Sequence, residues 1–190
     1  MFRKLLFFVL SALVGAIVVV LGLASRYPDH FVMARKIEIN APPAAVFAQI
    51  NDFHNWQEWS PWAKIDPAAK ATFEGPASGE GAIFGWDGNA EVGKGTMKIV
   101  KSRPDSLIDI EMKFVKPMED VADVQFTFVP VDGKTLVEWS MSGKRTFLGK
   151  AMCMCMNMDR MVGTKFEEGL ASIKKRVETG AAPAAADAKK

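Results

Sequence analysis

Residues 5–24 read LLFFVLSALVGAIVVVLGLA, 20 consecutive positions without a charge, and no other stretch constrains the architecture as strongly. At about 1.5 Å rise per residue such a run makes a helix about 30 Å long, the thickness of a bilayer's hydrocarbon core. Fourteen of the positions are Leu, Ile, Val or Phe. At about −0.3 to −0.6 kcal/mol each, they contribute on the order of −4 to −8 kcal/mol toward insertion. One Ser and two Gly do not offset that. A buried core helix of this kind needs a second domain around it, and a 190-residue chain has none to spare. A cleaved signal peptide is the other reading, because Gly22-Leu23-Ala24 supplies small residues before a cut. Its apolar region would ordinarily run about 7–15 residues, shorter than this one. The sequence therefore predicts one N-terminal transmembrane helix as a membrane anchor over residues 1–26, a linker over 27–32, and one tethered domain over 33–178. Arg3 and Lys4 lead the apolar run. Short basic leaders stay cytoplasmic, which places the domain of a single-pass protein on the extracytoplasmic (periplasmic) side of the membrane.

The rest of the composition narrows the partners. With 24 Lys and Arg against 22 Asp and Glu the net charge is +2. No basic stripe interleaved with aromatics is present, so nucleic acid is not an expected partner. Residues 179–190 are rich in Ala, Pro and Lys and have nothing to bury, which predicts a disordered tail. Cys153 and Cys155 stand two apart. On a helix such positions do not face each other, so no internal disulfide is expected.

Alternation defines the domain. In Met33-Ala-Arg-Lys-Ile-Glu-Ile-Asn40, Ile37 and Ile39 share one face while Lys36 and Glu38 share the other, the pattern of a half-buried strand. Pro42-Pro43 ends that strand and suits a helix start, with Val46, Phe47 and Ile50 on its apolar side. Asp52-Phe-His-Asn-Trp-Gln-Glu-Trp-Ser-Pro-Trp62 predicts a second short helix ending before Pro61, its Trp residues forming a lid. Short strands follow around Thr72–Glu74, Ala82–Trp86 and Thr96–Lys101. Longer alternations come next: Ile108, Ile110, Met112 and Phe114, then Val124, Phe126 and Phe128. Asp132-Gly133 is a hairpin signal leading to Val137, Trp139 and Met141. A long helix, roughly residues 150–178, closes the chain with Cys155, Met158, Val162, Phe166, Leu170, Ile173 and Val177 on one stripe. The fold class is α+β. One apolar sheet face and one helix stripe cover each other.

That order of elements resembles the SRPBCC superfamily, with its START-like, Bet v 1-like and polyketide cyclase/dehydrase-type members. The resemblance is carried by Ile39-Asn-Ala-Pro-Pro-Ala-Ala-Val-Phe47, Asp52-Phe-His-Asn-Trp56 and Trp59-Ser-Pro-Trp62. Asn157-Met-Asp-Arg-Met-Val-Gly163 and Phe166-Glu-Glu-Gly-Leu-Ala-Ser-Ile-Lys174 carry it at the other end. It implies a helix-grip fold, a curved antiparallel sheet of about six to seven strands wrapped on the long C-terminal helix, with a cavity between them. The implied ligand-binding residues are Phe84, Trp86, Met97, Ile99, Ile110, Met112, Phe114, Phe126, Phe128, Trp139 and Met141 from the sheet. Met154, Met158 and Met161 join them from the helix. The plainer reading is that these side chains fill an ordinary core, since Met and aromatic residues suit both uses.

No reaction centre is legible. No GxSxG, P-loop or GxGxxG occurs, so no nucleophile or cofactor site is named. The thioether- and thiol-rich run Met152-Cys-Met-Cys-Met-Asn-Met158 has ligand types that suit Cu(I), but its residues point all around a helix and no metal is expected. Only His30 and His54 are present, which disfavours zinc. Asp52, His54, Glu58, Asp87 and Glu91 are the ionisable groups available for acid/base work, each more readily explained as a cap or a solvated charge. Three functions remain. The first is membrane-anchored binding of a hydrophobic small molecule such as a lipid, quinone or polyketide-like compound. The second is a cyclase or dehydratase acting on such a molecule, and the third an envelope module with a collapsed cavity that meets a protein partner.

Overall fold

Alternation becomes geometry in seven antiparallel strands. They are β1 (His30–Ile39), β2 (Lys70–Glu74), β3 (Ile83–Asp87), β4 (Lys94–Arg103), β5 (Leu107–Lys116), β6 (Asp120–Val131) and β7 (Lys134–Lys144). They form one sheet in the order β1-β7-β6-β5-β4-β3-β2. The computed structural model describes residues 28–145 and 158–180, with residues 6, 7, 15, 22, 26 and 150 as isolated positions. The expected membrane-spanning run lies outside the described residues except for Leu6, Phe7, Gly15 and Gly22. Among the described residues no helix is long and apolar enough to cross a membrane. Cys153, Met154, Cys155 and residues 181–190 also lie outside them.

Between β1 and β2 the chain makes α1 (Pro43–Ile50), a 3-10 turn (Phe53–Asn55), α2 (Trp56–Trp59) and α3 (Pro61–Ile65). Pro61 does not end the helical region; it starts α3, at a position where its missing N–H costs nothing. The C-terminal helix α4 (Met158–Glu178) lies against β1, α1 and α2. It buries Gly163, Phe166, Gly169, Leu170 and Ile173. The described part of this helix matches the expected one, and the expected residues 151–157 lie outside the description.

Two glycines inside α4 explain how closely it sits. A glycine in a helix interior costs about 1 kcal/mol relative to alanine. A Cβ on Gly169 would stand 2.7 Å from Trp139 Cζ3 and 3.3 Å from Pro61 Cδ, so the bare backbone admits the indole. A Cβ on Gly163 would meet the Arg35 guanidinium. Arg35 shares the inward parity of Ile37 and Ile39, and it crosses Gly163 to pair with Glu167 at 2.8 Å and Asp159 at 3.1 Å. The free edge of β1 is occupied by side chains. Arg35 Nη1 donates to Ala34 O, Lys174 Nζ donates to Glu38 O, and the Asn40 N–H donates to Glu178 Oε1. Filling an edge in this way blocks further strand addition.

Candidate functional site

The inner face of the sheet divides into two halves along the strands. In the half nearer the β6–β7 turn, register places Ile108 opposite Phe126 and Phe126 opposite Trp139. All three are buried, as are Ile110, Ile99, Phe128 and Val137. The helices fill this half. Trp139 stacks on Phe166 of α4 at 4.2 Å, Phe126 lies 4.9 Å from Trp139, and Trp59 meets Trp139 edge-on at 5.7 Å. The Trp56 and Trp59 indoles donate to the Ile50 and Gln49 carbonyls of α1. The Trp-rich stretch is thus a plug tied to backbone. Trp139 Nε1 is a buried donor without a hydrogen-bond partner among the described residues, a group whose desolvation costs about 1–3 kcal/mol.

In the half nearer the β5–β6 turn the same inward parity continues, and the described residues cover it less fully. Met97 pairs with Met112, Gly95 with Phe114, and Phe84 with Met97. Met97 and Phe84 are buried, whereas Met112, Phe114, Trp86 and Met141 are only half-buried. Trp86 lies against the open face of Gly95, where a Cβ would stand 2.5 Å from its ring. Its indole donates to Val92 O at 3.2 Å, and Phe114 meets it edge-on at 6.0 Å. Val162 and Trp62 contribute further half-buried apolar surface at the core margin.

Each expected lining residue now has a place. Ile99, Ile110, Phe126, Phe128 and Trp139 sit in the packed half, and Phe84 and Met97 at the boundary. Trp86, Met112, Phe114 and Met141 form the half-buried group, and Met158 of α4 is likewise half-buried. Met161 is 53% exposed, and Met154 lies outside the described residues. Sequence reasoning did not nominate Val162, Trp62 or Met33 for the lining. Val162 was on the helix stripe and Trp62 in the aromatic lid, so the signal was present for both. Met33 shares parity with Ile37 and Ile39.

The acid/base candidates have structural partners. Asp52 Oδ1 accepts from the His54 N–H and lies 2.7 Å from His54 Nδ1. The His54 ring stacks on Phe73 at 4.1 Å. Glu58 pairs with Arg176 at 3.2 Å and Asp87 with Lys94 at 2.8 Å. The bond from Lys94 holds the Asp87 carboxyl below the usual carboxylate range. Glu91 closes a turn through its backbone N–H to Asn89 Oδ1. Among the described residues no group of three His, Cys, Asp or Glu side chains could hold a metal ion. A separate groove of about 340 Å³ opens on the outer face of the sheet, lined by Val100, Asp109, Ile110, Asp123, Val124, Gln125, Ser140 and Ser142. Its lining mixes polar and apolar groups, with Asp109, Asp123, Gln125, Ser140 and Ser142 on the polar side.

A seven-stranded antiparallel sheet holding one long C-terminal helix, with apolar side chains turned toward it, defines the helix-grip class. Within that class the chain belongs to the polyketide cyclase/dehydrase and lipid transport family, whose model matches residues 30–178. Solved structures share the fold at low identity. The Aha1 dimer from Colwellia psychrerythraea is 17% identical over 80% of this chain and 99% of its own, with a TM-score of 0.57. Protein MLL2253 from Mesorhizobium loti is 14% identical over 78% and 98%, with a TM-score of 0.58. DynU16, from the dynemicin biosynthetic locus, is 13% identical over 81% of this chain and 49% of its own, with a TM-score of 0.56. The sequence matches no curated protein.

Proposed function

We propose that this protein binds an apolar small molecule, a lipid, quinone or polyketide-like compound, at the half-buried end of its inner sheet face. The observation that carries the reading is the gradient along β5, from buried Ile108 and Ile110 to half-buried Met112 and Phe114 on one inward parity. Apolar side chains that face inward and stay half-buried are what an apolar ligand would cover. The flexible thioethers of Met112, Met141 and Met158 adapt to varied shapes. In this reading residues 5–24 anchor the chain, and the domain sits outside the cytoplasm beside the bilayer where such ligands concentrate. The family's description, which names lipid transport beside cyclase and dehydrase chemistry, supports a hydrophobic ligand of this kind.

The test is native purification of the full chain followed by solvent extraction and mass spectrometry. One stoichiometric apolar compound, lost in Phe114→Ala and Met112→Ala variants that remain folded, is the expected result. Absence of any bound compound, with no uptake of a fluorescent fatty-acid probe, would sink the reading.

A cyclase or dehydratase is the second reading, and the Asp52–His54 pair favours it. A carboxylate accepts only, so His54 Nδ1–H donates to Asp52 and Nε2 keeps its lone pair in the neutral ring, the arrangement of an oriented general base. The readout is turnover of the extracted compound, with His54→Gln expected to abolish it while leaving binding intact. Unchanged turnover in that variant would dismiss the pair.

A further inference from the structure

The end of the sheet that carries the half-buried apolar group is also the end at which the chain enters the domain. His30 pairs with Lys144, Lys113 pairs with Val121, and Phe114 pairs with Asp120, so these residues lie in adjacent rows at one end. The entry is pinned. The Arg145 N–H donates to Asp29 O at 2.7 Å, and the Arg145 guanidinium lies over the Phe31 ring. Lys150 pairs with Asp29 at the same point. Exposed apolar side chains surround this end. Val115 is 45% exposed, Met118 43% and Val121 50%, with Met118 in the turn between β5 and β6.

Distance decides which end meets the bilayer. Five residues, 25–29, separate Ala24, the last of the uncharged run, from His30, which makes six Cα-to-Cα steps. Fully extended they reach about 20 Å. Strand β6 has 12 residues and so spans about 40 Å. Val129 and Val131 expose similar apolar surface near the opposite end. The tether keeps the His30 end within about 20 Å of the membrane, while the β6–β7 turn lies a further strand length of about 40 Å along the sheet.

We infer that the β5–β6 turn, with Val115, Met118 and Val121 at its flanks and tip, docks into the interfacial layer of the bilayer that holds the anchor, so that the apolar end of the inner face opens toward lipid. The inference rests on the anchored reading above. A lipid-soluble ligand then passes between bilayer and domain without crossing water, past Phe114 and Met112.

The experiment uses the full chain reconstituted in phosphatidylcholine vesicles, on a Cys153→Ser, Cys155→Ser background. An environment-sensitive fluorophore is placed in turn at Met118→Cys, Val121→Cys and Val129→Cys; all three side chains are exposed, so labels there leave the core alone. Docking gives blue-shifted emission at 118 and 121 that shallow nitroxide lipids quench by more than half, and solvent-like, unquenched emission at 129. Equal, solvent-like emission at all three positions overturns it, as does quenching at 129 alone. Protein that fails to float with the vesicles overturns it by removing the anchor. Quenching at 118 and 121 in a protein that yields no extracted ligand upholds the docking surface and removes the binding function, so the two failures are distinguishable.

Discussion

Strand β5 carries two different environments on one parity. Ile108 and Ile110 face Phe126, Val124 and the aromatic plug, and are buried. Two and four residues further on, Met112 and Phe114 face Ala122 and Asp120 and are half-buried. The alternation is the same in both halves. What differs is the element opposite: α1, α2 and the Phe166–Ile173 part of α4 fill the first half. Period-2 patterning reports which way a side chain points, and says nothing about whether another element has arrived to cover it.

Truncation should separate the halves most sharply. Phe126→Ala removes a fully buried ring that touches Trp56 and Trp139, and is expected to cost about 3–5 kcal/mol in urea unfolding. Phe114→Ala, on a half-buried ring, is expected to cost about 1 kcal/mol while abolishing ligand retention. Equal losses of stability would mean that the two halves are packed alike. The second effect is smaller and tests the fit of α4. Gly169→Ala gains about 1 kcal/mol of helix propensity but drives a methyl into Trp139, and overpacking costs about 1–3 kcal/mol. A net loss of stability is expected. Gly163→Ala meets the guanidinium end of the long Arg35 side chain, which can shift at the expense of its exposed ion pairs, so its midpoint should lie at or above that of Gly169→Ala. A larger loss at Gly163 would show that the Arg35 clamp, and not the aromatic plug, sets the helix position.

These contrasts show what the sequence made legible. The inward sets of β5, β6 and β7 and the stripe of α4 were readable because burial follows a fixed period. The family pattern followed from their order, and with it the helix-grip fold. The division of the inner face was not readable, because it depends on where Trp56, Trp59 and Phe166 reach in space. One local misreading has a simple cause. Pro61 was read as a stop, although proline serves equally well as a first helical residue, and Ser60 precedes it in extended conformation. Arg35 shares the inward parity of Ile37 and Ile39, a place where alternation alone does not expect a charge. Gly163, 128 positions away in the chain, is what makes room for it. That pairing has no local signature.

The smallest effect probes the other end of the same clamp. Glu178 Oε1 accepts from Lys174 Nζ at 2.6 Å and from the Asn40 N–H at 2.7 Å. The Lys174 bond first, and the Asn40 bond second, hold its pKa below the ordinary value of 4.5. A carboxylate with a depressed folded pKa contributes stability above its unfolded value and loses it as pH falls through the folded one. Glu178→Gln should therefore lower the melting temperature slightly at neutral pH. The gap to the parent protein should narrow once the pH drops below 4.5 and close at lower pH. Because the group is solvent-accessible, added salt should shrink the gap at neutral pH as well. A gap that stays constant with pH would assign the effect to the Asn40 hydrogen bond, which a glutamine carbonyl keeps only in one rotamer, and would leave Arg35 as the ionic tie between β1 and α4.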